Sequence, residues 1–309
     1  MKQRSVPLAF LTAGVVAASL VLAPGVASAN HGAKTPRTQI DVVAEGLDTP
    51  RGLYYEKFTH TVLIAEAGQV AGNDGPCVPG ANSQLWCAGK TGAVSAYNEF
   101  TRHTYRIVTG LSSTRTDDLT VPPSVLGVHD LSLVNGKLTL VFGLSGRQTF
   151  RDALGPDGAN MATIGTVDWH GDYHPYGDLL AFEMANNPDG RRLDSDAFGL
   201  VVTSDGAFVA DAGANDVVKV TNDGTVSLVV SPPPRVTPTD PDFESVPTSV
   251  LRAPDGSFYI SELTGFPYRR APRGSCATSP ASRRPARRCR RSPPASPTSP
   301  TSPSTSAAG

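Results

Sequence analysis

Several common signatures are missing from this chain, and each absence removes a class of protein. There is no G-x-S-x-G elbow, no Walker phosphate loop and no H-E-x-x-H pair, which sets aside the most recognisable serine hydrolases, nucleotidases and zinc proteases. Past Leu22 no apolar run approaches the ~18 residues needed to cross a bilayer as a helix. Helical periodicity is almost absent. Acid is missing from both ends: all 28 Asp and Glu fall between Asn30 and Tyr268, where 16 Lys and Arg leave a net charge of −12. From Arg269 onward there are nine Arg and no acid. An acidic body argues against a nucleic-acid-binding surface.

The N-terminus reads as an export signal. Lys2 and Arg4 give a positive start, Val6 to Leu22 are mostly apolar, and Ala27-Ser28-Ala29 forms an A-x-A cleavage site before Asn30. No twin-arginine pair precedes it, so general secretion is the expected route. The expected product is secreted, with no membrane attachment after cleavage of residues 1–29. Export permits disulfides. Cys77 and Cys87 flank "CVPGANSQLWC", which reads as one stapled loop. A metal site is the competing reading, weakened by the lack of nearby histidines. Cys276 and Cys289, in the basic tail, are given no partner.

A repeat organises the middle of the chain. "TPRGLYYEKFTHTVLIAEAG" (49–68), "GVHDLSLVNGKLTLVFGLSG" (127–146), "AFGLVVTSDGAFVADAG" (197–213) and "VPTSVLRAPDGSFYISELTG" (246–265) share a strand, a turn and a second strand. Three of the turns are Asn135-Gly136, Asp205-Gly206 and Asp255-Gly256, the strongest short-range hairpin signal. Further strands follow in "GAVSAYNE", "TYRIVTGL" and "DVVKVTNDGTVSLVV" (216–230). Four antiparallel strands recurring at roughly 40–60 residues describe an all-β fold, the blades of a β-propeller. "DLLAFEMANN" (178–187) is the one helix candidate, and a strand followed by a loop fits it equally well.

"VAEGLDTPRGL", the "CVPG…WCAGKTGAV" loop, "LLAFEMANNPDG", "VADAGANDVVKV" and "VPTSV…PDGSFYISELTGFP" together resemble the ScyD/ScyE-like family of exported bacterial β-propellers. The resemblance covers roughly residues 40 to 268. It implies a six-bladed propeller related to the NHL and TolB-like groups, and it implies no chemistry.

The repeat also sorts candidate site residues. Glu66, Asp211 and Glu262 share one register, either as a ring of carboxylates around a cation or as acceptors of backbone N–H groups in the adjoining turns. The second reading is the ordinary one. Arg51, His129, Phe198 and Thr248 precede the pairs Gly52-Leu53, Asp130-Leu131, Gly199-Leu200 and Ser249-Val250 on the innermost strands. Differing residues at one register are what a ligand-shaping surface shows, so Arg51, His129, Asp130, Phe198 and Thr248 form the expected channel mouth. His129 is either a general base, from an ordinary pKa near ~6.5, or a histidine bonded within the channel wall. In "DWHGDYHPYGD" (168–178), His170 and His174 have an H-x3-H spacing, but Gly171, Pro175 and Gly177 oppose a helix. That stretch is expected to be a polar loop between strands, without a metal.

Two function classes remain. One is a non-catalytic module that binds an extracellular ligand or protein and needs no cofactor. The other is a metal-dependent lactonase or hydrolase with calcium on the axis, which requires carboxylates from several blades. The innermost strands offer only Asp130, so the binding module is the expectation.

The tail, residues 269–309, breaks the repeat. The last hairpin is followed by Arg, Pro, Ala, Ser and Thr where two more strands are due, so residues 30–268 supply about three and a half blades. Pro, Ala and Thr always, and Ser usually, have C as the second codon base. A gene rich in C at third positions, read one base out of phase, yields this composition, and the rephased codons of Pro293 to Thr305 permit a propeller innermost strand. The tail itself has no apolar pattern and is expected to be disordered. An unclosed array exposes strand edges, and aggregation or degradation is its expected fate. Sequencing the gene beyond codon 268 should reveal an open propeller-coding frame one base away; a frame interrupted by stop codons there identifies the tail as a true linker.

Overall fold

The computed structural model describes residues 39–80, 84–117, 124–235 and 243–265. The proposed signal segment and tail lie outside the described residues, as do Cys276 and Cys289. The chain divides into Met1–Asp41 and Val42–Gly309. Of the first unit only residues 39–41 are described, without a regular element. Every element below belongs to the second.

Four antiparallel sheets follow one another along the chain. The first holds β1 (Pro50–Glu56), β2 (Thr61–Glu66), β3 (Cys77–Pro79), β4 (Leu85–Asn98), β5 (His103–Thr116) and β6 (Val125–Leu126), in the order β1-β2-β4-β5-β6 with β3 beside β4. The second consists of β7 (Val128–Val134) and β8 (Lys137–Phe142), then β9 (Thr163–Val167) and β10 (Tyr173–Asp178). Between these two pairs lies α1 (Gln148–Ala153), and α2 (Leu179–Asn186) follows them. The third holds β11 (Ala197–Thr203), β12 (Gly206–Asp211), β13 (Asp216–Val220) and β14 (Val226–Val230). The fourth pairs β15 (Ser245–Arg252) with β16 (Phe258–Thr264). The hairpin turns behave as their residues require: Asn135 and Gly136 both take positive φ, 53° and 75°, the left-handed pair of a tight twisted hairpin.

The first strands of the four sheets touch in sequence, β1 to β7, β7 to β11 and β11 to β15. Each core cluster is a sheet-to-sheet interface. Leu63 and Val94 of the first sheet meet Leu131, Leu140 and Phe142 of the second. Val141 and Ile164 meet Leu200, Val209 and Val218. Phe208 and Val217 meet Val250, with Phe258 and Ile260 packed alongside. Sheets stacked face to face, with their first strands lining one axis, are the blades of a β-propeller. The described residues build three and a half of them.

Burial along the second strands follows from this stacking. β8 and β12 lie between two sheets, so nearly every residue is covered and the sequence runs apolar without alternation. β16 alternates partly buried with exposed, because among the described residues only one of its faces meets a sheet. The outer faces of the end sheets keep large apolar groups in solvent: Leu53 is 65% and Tyr55 48% exposed on β1, and Leu251 is 62% and Tyr259 64% exposed on the fourth sheet.

Cys77 and Cys87 face each other across the β3–β4 pair and are joined as a disulfide. Two expectations need correction. Residues 173–178 are strand β10 rather than loop, since Tyr173 to Asp178 can pair with β9 despite Pro175, through a register irregularity between Pro175 and Gly177. Helix is also more frequent than periodicity suggested. "DLLAFEMANN" is helical over Leu179–Asn186, where the Asp178 carboxylate caps the N-terminus by accepting the Ala181 N–H. α1 carries too short a pattern to register.

Substitutions on the last sheet-to-sheet interface and on the open face of the fourth sheet should separate the two faces. Phe208→Ala, which empties the space against Phe258, is expected to lower the unfolding free energy in urea by about 3–5 kcal/mol. Leu251→Ser, on the open face, should change it by less than about 0.5 kcal/mol and reduce self-association in sedimentation.

Candidate functional site

The innermost strands bring three of the five expected mouth residues into one cluster. The His129 ring lies 4.9 Å from the Phe198 ring, centroid to centroid. The Arg51 guanidinium carbon stands 5.9 Å above the same ring, within cation–π range. Arg51 is fixed by donating from Nη2 to the Val125 carbonyl at 2.8 Å. Thr248 does not join them; its hydroxyl pairs with Ser261 of its own sheet at 3.1 Å.

His129 is 1% exposed, and its Nδ1 lies 3.0 Å from the Ala197 carbonyl oxygen. A carbonyl only accepts, so Nδ1 carries the proton and Nε2 presents a lone pair. Burial and the Arg51 charge push its pKa down to about 3, against the pull of the Ala197 bond. An imidazole of that kind stays neutral and accepts protons weakly at neutral pH. Its geometry is that of a wall residue.

Asp130 is committed elsewhere. One carboxylate oxygen accepts the N–H of Leu131 and the other that of Leu200, each at 2.8 Å. The second bond crosses from β7 to β11. Burial raises its pKa to about 6, with the two backbone bonds opposing. Gly52 makes room for it: a Cβ there would come within 2.1 Å of the Asp130 carboxylate.

The cluster includes an acid that sequence reasoning missed. Asp196 Oδ1 lies 3.6 Å from His129 Nδ1. It sits one residue before β11, outside the aligned register, so recurrence gave no signal. Its side chain keeps 21% of its surface. Desolvation and the nearby Asp211 raise its pKa, while Arg51 lowers it. Three polar atoms in the cluster are buried without a hydrogen-bond partner: Arg51 Nε, His129 Nε2 and Asp196 Oδ1. They amount to one donor and two acceptors beside an aromatic face.

The carboxylates of the shared register serve their own sheets. Glu66 accepts from the Asp48 N–H, Ser95 and Arg106. Asp211 accepts from Ser195 and from the N–H groups of Asp196, Gly213 and Ala214. Glu262 pairs with Arg235. His174 pairs with Asp168 at 2.9 Å, and His170 uses its backbone N–H on the same carboxylate. Among the described residues no three His, Cys, Asp or Glu side chains are grouped to hold a metal.

No family model matches the chain, and no curated protein matches it in sequence. Solved structures that resemble it include a virginiamycin B lyase from Staphylococcus aureus, at 10% identity and TM-score 0.32, covering 69% of this chain and 77% of that one. A candidate gluconolactonase gives 12% identity and TM-score 0.30, covering 73% and 77%. A streptogramin B lyase gives 10% and 0.28, covering 71% and 92%. At such scores the propeller assignment rests on the sheets described above, and no activity is carried across.

Replacing Asp130 by alanine leaves two buried N–H groups without an acceptor. Unfolding in urea should show a loss of about 2–5 kcal/mol, and a loss below about 1 kcal/mol would mean that water takes over both bonds.

Proposed function

We propose that this chain is an exported β-propeller module of the ScyD/ScyE-like kind that binds an extracellular ligand at the mouth formed by Arg51, His129, Phe198 and Asp196. One observation carries the reading: the mouth holds one unpartnered donor and two unpartnered acceptors next to a partly exposed aromatic ring. Buried polar atoms without partners are costly, and a ligand that supplies the missing bonds recovers that cost. Hydroxyl groups, which both donate and accept, match the set, and an aromatic face suits the apolar side of a sugar or a phenol. Secretion is supported by the Cys77–Cys87 disulfide. No helix among the described residues is long and apolar enough to cross a membrane.

The hydrolase alternative has less support. It needs axial carboxylates free to hold calcium, and both oxygens of Asp130 are occupied by backbone N–H groups. A neutral, buried His129 is likewise a weak base. Titration calorimetry against saccharides and phenolic glycosides should give saturable binding, weakened about tenfold or more (~1.4 kcal/mol) by Arg51→Ala or Phe198→Ala. Calcium-dependent turnover of a lactone or phosphotriester overturns the binding reading, as does binding that ignores both substitutions.

A further inference from the structure

Away from the mouth, a second group of side chains has oxygen atoms with nothing to bind. Glu183 of α2 and Asp216 at the start of β13 are each 1% exposed, and all four of their carboxylate oxygens lack a hydrogen-bond partner. Asn187, which ends α2 in a left-handed conformation, and Asn215, left-handed in the β12–β13 turn, each have an unpartnered buried Oδ1. The amide orientations are fixed by their other ends. Asn187 Nδ2 donates to the Arg191 carbonyl at 3.2 Å, and Asn215 Nδ2 donates to Asp189 at 2.8 Å. The carbonyl oxygens are therefore the free atoms.

Chain links and charge relate the four. Glu183 and Asn187 are one helical turn apart, joined by the Asn187 N–H to the Glu183 carbonyl. Asn215 and Asp216 are consecutive, and the Asn215–Asp189 bond ties their turn to the segment after α2. The charges facing the carboxylates are acids: Asp211, Asp189 and Asp194 for Glu183, and Asp211, Glu183 and Asp189 for Asp216. Arg191 and Arg192, in the loop after α2, form ion pairs with Glu244 and Asp194. Asp189 and Asn215 also line a cleft of about 220 Å³ with Pro188, Ser231 and Ser245, so Asn215 is the member of the group that borders solvent-sized space.

We propose that Glu183, Asn187, Asn215 and Asp216 form a binding site for a hard divalent cation, calcium by preference, at the junction of α2 with the β12–β13 turn. Six unpartnered oxygens and no nitrogen or sulfur match calcium's ligand preference. Magnesium demands stricter octahedral geometry and dehydrates reluctantly, which favours the larger ion. Unpaired buried carboxylates are expensive, and a cation offsets the cost.

The test uses the full secreted chain, freed of metal with a chelator. At pH 8, calcium at about 100-fold its dissociation constant should raise the melting temperature by about 5 °C or more, and magnesium by less. Equilibrium dialysis with radioactive calcium should find one ion per chain. The double variant Glu183→Gln/Asp216→Asn should bind none. Asp168→Asn, at the surface His174 pair, should bind as the parent does. Absence of stoichiometric calcium binding in the parent chain overturns the proposal, as does undiminished binding by the double variant. If that variant fails to fold, the dialysis and melting shift of the parent chain still decide.

Discussion

Three innermost strands meet at one carboxylate. Asp130 stands on β7, fills the space that Gly52 leaves open on β1, and accepts the Leu200 N–H of β11. A β-sheet ordinarily satisfies its backbone within itself. Here a side chain adds a bond to the backbone of the next blade near the axis, alongside the backbone bridge that Gly146 and Ser195 make between the second and third sheets. The same choice explains why the strand carries an acid at a nearly buried position. The carboxylate is kept there by its two N–H donors against a desolvation that raises its pKa to about 6.

Face-to-face stacking sets everything outside the axis. A sheet has two faces, and a blade between two others must be apolar on both. The second strands β8 and β12 obey this with runs of Leu, Val, Phe and Ala, whereas β16 alternates. Stability is therefore local to each interface, in the manner of repeat proteins. The interface between the first and second sheets is the most developed, with α1 and the disulfide-linked β3–β4 pair added at its rim: Trp86 meets Phe150 edge to face at 6.5 Å. The faces bearing Leu53 and Tyr55, and Leu251 and Tyr259, are built like interfaces and lack a partner sheet among the described residues.

The blades were legible because a hairpin is a local object. Asn-Gly and Asp-Gly turns, flanked by β-branched runs, specify it within about twenty residues. The clustering of side chains on the innermost strands was legible in part. Register grouped Arg51, His129 and Phe198 because each belongs to a strand that recurs. It gave no signal for Asp196, which enters from the approach to β11, nor for the Asp130 bond to Leu200, because nothing local reveals a bond to a residue 70 positions away. α2 was ambiguous in sequence because Phe182 and Met184 make a helix and a strand equally apolar. The Asp178 cap decides in favour of the helix. Unpartnered oxygens are beyond sequence reasoning altogether, since being unpaired is a property of surroundings.

The two proposed sites meet at Asp211. Its four donors hold it against the Asp196 N–H on one side, and its charge raises Asp196, Glu183 and Asp216 alike. A cation at Glu183 and Asp216 would lower the field that these acids share. Asp196 would then ionise more readily, and its unpartnered oxygen would become a stronger acceptor at the mouth. Linkage makes that coupling reciprocal: whatever pairs with Asp196 at the mouth changes the cost of carrying charge at the junction. A body with net charge −12 between Asn30 and Tyr268 concentrates its buried acids where α2 meets the third blade. In the proposed extracellular setting, calcium sites of low charge count bind with dissociation constants of about 10⁻⁴–10⁻³ M. A site with two carboxylates and two amides belongs in that range. It would be filled at millimolar calcium and vacated at low calcium, so the third blade would reach its full stability only in a calcium-rich setting.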